Sequence, residues 1–214
     1  MKIKDLDLLL DLTEKEIEDI KVQKIIDSVI EKVEEPWLFK PFDEDFFNML
    51  RKKYNITNED IKKNALRQTE DGYKTSFKEL VGDAYIRREG LFRFLFPGLV
   101  RFEKITNEDE QKSGIDYKVY LKDGTVKNVD LKSLIGPNYK QCVIELSQNG
   151  IWTNTPEKKT DYVLYVVHDK NHTAYKMVSY KDVLEESLKY KDFQSEKIKT
   201  SFNGTGKYIL VWSI

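Results

Sequence analysis

Cysteine is almost absent: Cys142 is the only one in 214 residues. A single thiol forms no internal disulfide and cannot supply a paired-cysteine zinc site. It reads as a small core residue. Histidine is nearly as scarce. His168 and His172, in "HDKNH", have no partner cysteine and no third ligand nearby in sequence, so they read as turn residues. No apolar run approaches the roughly 18 residues of a membrane span. The opening "MKIKDLDLLLDLTEKE" has its apolar patch broken by Asp5, Asp7 and Asp11, which does not suit a signal peptide. These absences predict a soluble, cytoplasmic chain with no membrane partner. Net charge is lacking too: 36 Lys and Arg face 37 Asp and Glu, leaving −1. Such a balance gives no global pull toward nucleic acid, but it leaves room for a local basic cleft.

What is present is enough apolar residue, 40 %, for a substantial core. The first seventy residues read as helical. "TEKEIEDIKVQKIIDSVIEKVEE" opens on a capping box, Thr13 to Glu16, and carries an apolar stripe of Ile17, Ile20, Ile25, Val29 and Val33. Shorter helices are predicted over Asp43–Lys53 and Asn58–Gln68, the second capped by Thr57, followed by a loop at "TEDGYKT". The composition changes near Glu70–Thr75, which divides the chain into a helical region, 1–70, and a core, 71–214. The core reads in order as a helix at "SFKELVGDAYIRREG", a strand at "GLVRFEKI", a hairpin over Ile115–Leu134 and a helix at "GPNYKQCVIELSQNG". Strands at "TDYVLYVVHD" and "TAYKMVS", a helix at "YKDVLEESLKY" and a strand at "KYILVWSI" complete it. The predicted class is α/β (α+β), a central mixed sheet flanked by helices.

The hairpin carries the chemistry. With Lys122-Asp123-Gly124 as a three-residue loop and Gly124 left-handed, paired positions sum to 246. Asp116 then lies opposite Asp130. One face becomes Ile115, Tyr117, Val119, Leu121, Val129 and Leu131. The other carries Asp116, Lys118, Tyr120, Val126, Asn128, Asp130 and Lys132. Two opposed carboxylates repel. Lys132 supplies one counter-charge, and a divalent cation would supply a better one, since Mg²⁺ binds through a few carboxylates and keeps waters or phosphate oxygens elsewhere.

Gly114-Ile115-Asp116 followed by Asp130-Leu131-Lys132 resembles the motif of the PD-(D/E)XK nuclease superfamily, which includes many restriction endonucleases. Ile115 stands where the family commonly has Pro. The resemblance covers roughly residues 76–168 and implies an α-β-β-β-α-β core. It further implies a Mg²⁺-dependent endonuclease, with Mn²⁺ able to substitute, acting on double-stranded DNA as a homodimer. Asp116 and Asp130 would bind metal and Lys132 would position water. Glu79, on the preceding helix, would assist as a further acid, unless Ser76-x-x-Glu79 is a capping box; Asp83 is then the substitute. Gln141 would reach the site from the helix after the motif, and Arg87, Arg88, Lys140 and Lys158 would contact the phosphate backbone. A type II restriction enzyme is the leading expectation. A phage, repair, junction-resolving or RNA nuclease of the same fold, or a non-catalytic nucleic-acid-binding protein, is the alternative.

Overall fold

The computed structural model describes residues 35–107, 110–111, 113–136, 141–192, 194–200 and 206–214. The predicted helix with the Thr13–Glu16 box, and its apolar stripe, lie outside these residues, as do Pro137 and Lys140. The chain separates into two compact units, Met1–Leu38 and Phe39–Ile214. Every helix and strand among the described residues belongs to the second unit.

Helices α1 (Glu44–Tyr54) and α2 (Asn58–Asn64) begin where their caps dictate. Asp43 accepts from the Phe46 amide, and Thr57 forms a complete capping box with Asp60. They pack on α3 (Glu70–Arg88) around Phe39, Phe46, Phe47, Leu50, Ile61 and Phe77. The Phe47 and Phe77 rings stack 5.3 Å apart. The stretch expected to be a loop at Thr69–Thr75 is instead the first turns of α3. Thr69 caps the Gly72 amide, and Glu70 and Asp71 suit the helix's positive end. Gly72 is not a turn signal here. A Cβ at that position would lie 2.0 Å from the Arg67 carbonyl oxygen, so the close approach of the preceding chain demands glycine.

After the short α4 (Leu91–Leu95) come β1 (Leu99–Lys104), β2 (Tyr117–Leu121) and β3 (Val126–Ile135). The β2–β3 hairpin has the register that sums to 246, from Tyr117 opposite Val129 to Tyr120 opposite Val126, with Gly124 at φ 83°. Strands β6 (Tyr162–His168) and β7 (Thr173–Ser179) complete a mixed sheet in the order β1-β2-β3-β6-β7. Within it only the β3–β6 pair is parallel.

The segment predicted as a helix at Gly136–Gly150 is a strand. β4 (Gln141–Gln148) buries Cys142, Ile144 and Leu146 on one face and turns Gln141 and Glu145 outward, a period of two rather than 3.6. Asn149-Gly150, with φ 50° and 75°, is the two-residue turn into β5 (Ile151–Trp152). That dipeptide favours both left-handed positions of a hairpin turn. A helix end, by contrast, needs only one. With β8 (Lys199–Thr200) and β9 (Gly206–Ser213), these strands form a second sheet ordered β5-β4-β9-β8. The expected α-β-β-β-α-β order is corrected accordingly: a β-hairpin, not a helix, stands between β3 and β6.

The result is a mixed sheet with different cover on each face. Ile86, Leu91 and Phe92 of α3 and α4 pack on Tyr117, Val119, Val129, Leu164 and Val166. On the other face Val163 and Tyr165 meet Cys142, Ile144 and Leu146 of β4, Ile209 of β9, and Tyr180 and Val183 of α5 (Tyr180–Leu188). Burial on both faces is why β6 is an unbroken apolar run.

His168 ends β6 fully buried, its ring edge-on to Tyr54 and Tyr85. Nδ1 lies 3.0 Å from the Thr173 hydroxyl, while buried Nε2 has no partner among the described residues. Burial, aided by the Lys53 charge, lowers its pKa to about 4. A depressed folded pKa gives stability that is complete above the free value of about 6.5 and lost as pH falls toward 4. The shift is worth about 3 kcal/mol. Urea denaturation at pH 7 and pH 4.5 should show that His168→Phe removes most of that acid-dependent loss; an unchanged slope would exclude His168 as its source.

Candidate metal centre

Asp116 stands where β2 parts from β3. Its amide donates to the Val129 carbonyl at 3.0 Å, the last main-chain bond between the two strands on this side. The next donor on β3, the Leu131 amide, turns instead to Asp116 Oδ2 at 2.7 Å. The carboxylate therefore replaces the backbone at the fork. Gly114, at φ 77°, turns the preceding chain away.

Asp130 and Lys132 alternate with Val129 and Leu131 along β3 and so face the second sheet. Asp130 is 5 % exposed. Its Oδ1 meets Lys132 Nζ at 2.8 Å, while the Lys132 side chain keeps 44 % of its surface. Both residues line a small cavity with Glu145 of β4, Asn154 and Lys158. The expected placement of both carboxylates on one face is corrected: Asp130 lines the cavity under the second sheet, whereas Asp116 lines the cleft on the helix side.

On the helix side, Asp116 opens into a cleft of about 190 Å³ lined by Asn64, Glu79, Lys104, Gln111 and Ser133. Glu79 projects from α3 and accepts from Asn64 Nδ2 at 3.0 Å. It is not a cap. Ser76, expected to head a capping box with it, lies inside the helix and donates its hydroxyl to the Ile61 carbonyl at 2.7 Å. Asp83, the substitute acid, is engaged elsewhere, bonded to the Tyr117 hydroxyl and to Arg87.

The electrostatics join these groups. Burial first, then the neighbouring Asp130 charge, raises the Asp116 pKa to about 6, against the pull of Lys132 and the Leu131 amide. Burial would lower the Lys132 pKa, but Asp130 and Asp116 outweigh it and hold the side chain firmly as an ammonium. Burial raises Glu79 as well, opposed by its Asn64 bond.

These residues fit a divalent cation. Asp116 Oδ2 is used by the backbone, leaving Oδ1 without a hydrogen bond among the described residues. One cation shared with Asp130 would offset both the burial and the mutual repulsion. Among the described residues no three His, Cys, Asp or Glu side chains gather closely enough to hold a metal. Asp116 and Asp130 are thus the side chains that could hold a cation, and Glu79 stands across the helix-side cleft.

The expected nucleic-acid contacts divide. Arg88 donates to the Lys53 and Tyr54 carbonyls at the end of α1, and Arg87 is held by Asp83 over the Phe102 ring. Both have local structural partners. Gln141 sits on β4, with its amide 3.4 Å from the Val211 carbonyl, not on a helix facing the motif. Of the described members of the set, only Lys158 reaches the cavity of Asp130 and Lys132. Asn64 and Lys104 also line the helix-side cleft and carry no sequence pattern that singles them out. No helix among the described residues is long and apolar enough to cross a membrane. Compared with known proteins, the sequence matches no protein-family model and no curated relative.

Proposed function

We propose that this chain is a Mg²⁺-dependent DNA endonuclease of the PD-(D/E)XK type, with a restriction-endonuclease-like core, acting on double-stranded DNA. The observation that carries the reading is the fork. A carboxylate replaces a main-chain acceptor beside a buried carboxylate, and a lysine is fixed two residues along the same strand. A solvated sheet face needs none of this.

Bound Mg²⁺ would supply Lewis acidity toward a phosphoryl oxygen and acidify the attacking water. The chain's own residues do the rest. Asp116 and Asp130 hold the cation. Asp130 also fixes Lys132, whose ammonium offers a preorganised positive charge to the phosphorus centre as negative charge grows on its oxygens. Water oxygen bonds to phosphorus, the P–O3′ bond breaks, and the 3′ oxygen takes up a proton, leaving 5′-phosphate and 3′-hydroxyl ends. A duplex offers two strands of opposite polarity, so a homodimer is the natural way to cut both.

Incubation of long duplex DNA with Mg²⁺, and with EDTA as control, tests this. Discrete fragments mark a restriction enzyme and a smear marks a nonspecific nuclease. Intact DNA under Mg²⁺ and Mn²⁺ would refute the reading. Glu79 has its own test. Because Thr69 is the helix cap, Glu79→Ala should leave the melting temperature within about 2 °C, whereas loss of a cap costs about 1 kcal/mol. Cleavage should fall about tenfold or more, and full activity would exclude an assisting role.

A further inference from the structure

One cation at the site has no polar partner among the described residues. Lys158 enters from the loop between β5 and β6, anchored two residues on by the Thr160 hydroxyl, which donates to the Gly114 carbonyl at 2.7 Å. Its stem lies along Gly114: a Cβ there would meet Lys158 Cε at 3.1 Å and Nζ at 3.3 Å. The ammonium sits 5.7 Å from the centre of the Tyr180 ring. Lys132 is bonded to Asp130, but the Lys158 ammonium makes no hydrogen bond or ion pair among the described residues. Burial lowers its pKa despite the Asp130 charge nearby.

A half-buried ammonium fixed by packing and left unpaired costs free energy that a bound anion would offset. The cavity it lines is small, about 30 Å³. It has room for a water-sized group such as one oxygen of a larger anion. The cavity walls carry Asp130 and Glu145 against Lys132 and Lys158, so they balance without a metal. With a divalent cation on the carboxylates the balance turns positive, and anion binding is then coupled to the metal.

We propose that Lys158 binds one non-bridging oxygen of the scissile phosphate, a second cationic contact beside Lys132. The proposal rests on the nuclease reading. During the reaction negative charge on the non-bridging oxygens rises while the P–O3′ bond breaks, and the Lys158 ammonium meets that charge without giving up a proton.

Phosphorothioate DNA in the two stereochemical forms at the cut position decides it. Wild type should cleave one form much more slowly than the other. Lys158→Ala should lower kcat about a hundredfold with KM within about threefold, and should lose the discrimination between the two forms. Lys158→Arg should restore part of both, with melting temperatures unchanged. Unchanged kcat, or discrimination preserved in Lys158→Ala, overturns the proposal. If wild type cleaves no DNA, the nuclease reading falls separately. Calorimetry with inorganic phosphate and Ca²⁺ then decides whether Lys158 is an anion site. Metal-dependent binding lost in Lys158→Ala supports the site, and binding equal in both proteins, or absent from both, removes it.

Discussion

Asp130→Asn should bring Mg²⁺-dependent cleavage of supercoiled plasmid down by at least about a thousandfold, or roughly 4 kcal/mol of transition-state stabilisation. Asn fills the same volume, so the strand and its cover should persist. Two functions vanish together. The proposed cation would lose its most buried ligand, and Lys132 would lose the carboxylate that holds its ammonium at 2.8 Å. Residues that act as a unit are not additive, so Lys132→Ala alone should cost nearly as much as the pair. Binding to duplex DNA without metal should be kept or tightened in Asp130→Asn, because a negative charge near the phosphates is gone. Cleavage within tenfold of wild type would remove Asp130 from the chemistry.

Asp116→Asn should separate activity from stability in the opposite sense. Asp116 has a folded pKa raised from 3.8 to about 6. A raised carboxyl pKa favours folding below about 3.8 and loses that contribution as pH rises through 6. At pH 7.5 the ionised group therefore costs at most about 3 kcal/mol. Asn carries no charge, and its carbonyl oxygen still accepts from the Leu131 amide. The variant should melt roughly 5 °C higher than wild type at pH 7.5. The gap should close toward pH 4, and Mg²⁺ or Mn²⁺ should raise the melting temperature of wild type alone. Cleavage should be lost. A variant that melts lower at pH 7.5 would mean that the Asp116 carboxylate is already well compensated without metal.

The hairpin was legible in sequence because two local signals agree on it. Strict alternation assigns the faces and Gly124 sets the register, so a one-residue slip would bury charge. Thr57 was legible for the same reason: cap and acid are adjacent in sequence. β4 was not. Its spacing of Tyr139, Cys142, Val143 and Leu146 mimics a helical stripe, and Asn149-Gly150 resembles a helix stop. Long-range pairing with β9 decides the outcome, and no local pattern reports it. Glu79 was ambiguous because Ser76-x-x-Glu79 fits a capping box, while the true cap, Thr69, lies behind a glycine whose role depends on the Arg67 carbonyl. Register alone set Asp116 against Asp130 in the sequence; that the two line cavities on opposite sides of the sheet is not legible there. The main-chain substitution at the fork, and the isolation of Lys158, belong to tertiary packing.

The hairpin between β3 and β6 has a consequence for synthesis. Strand β4 closes over Asp130 and Lys132, yet its one extensive partner among the described strands is β9, far along the chain, since β5 contributes just two residues. A chain emerging from the ribosome exposes α3 and the β2–β3 hairpin well ahead of Gly206–Ser213. Until then the motif exists without its roof: Asp130 stays hydrated, and the Asp130–Lys132 pair is no stronger than a surface contact. Closure of the site thus follows the pairing of β4 with β9. Under the proposed nuclease function, chains that lack β9 would carry the motif uncovered and without activity.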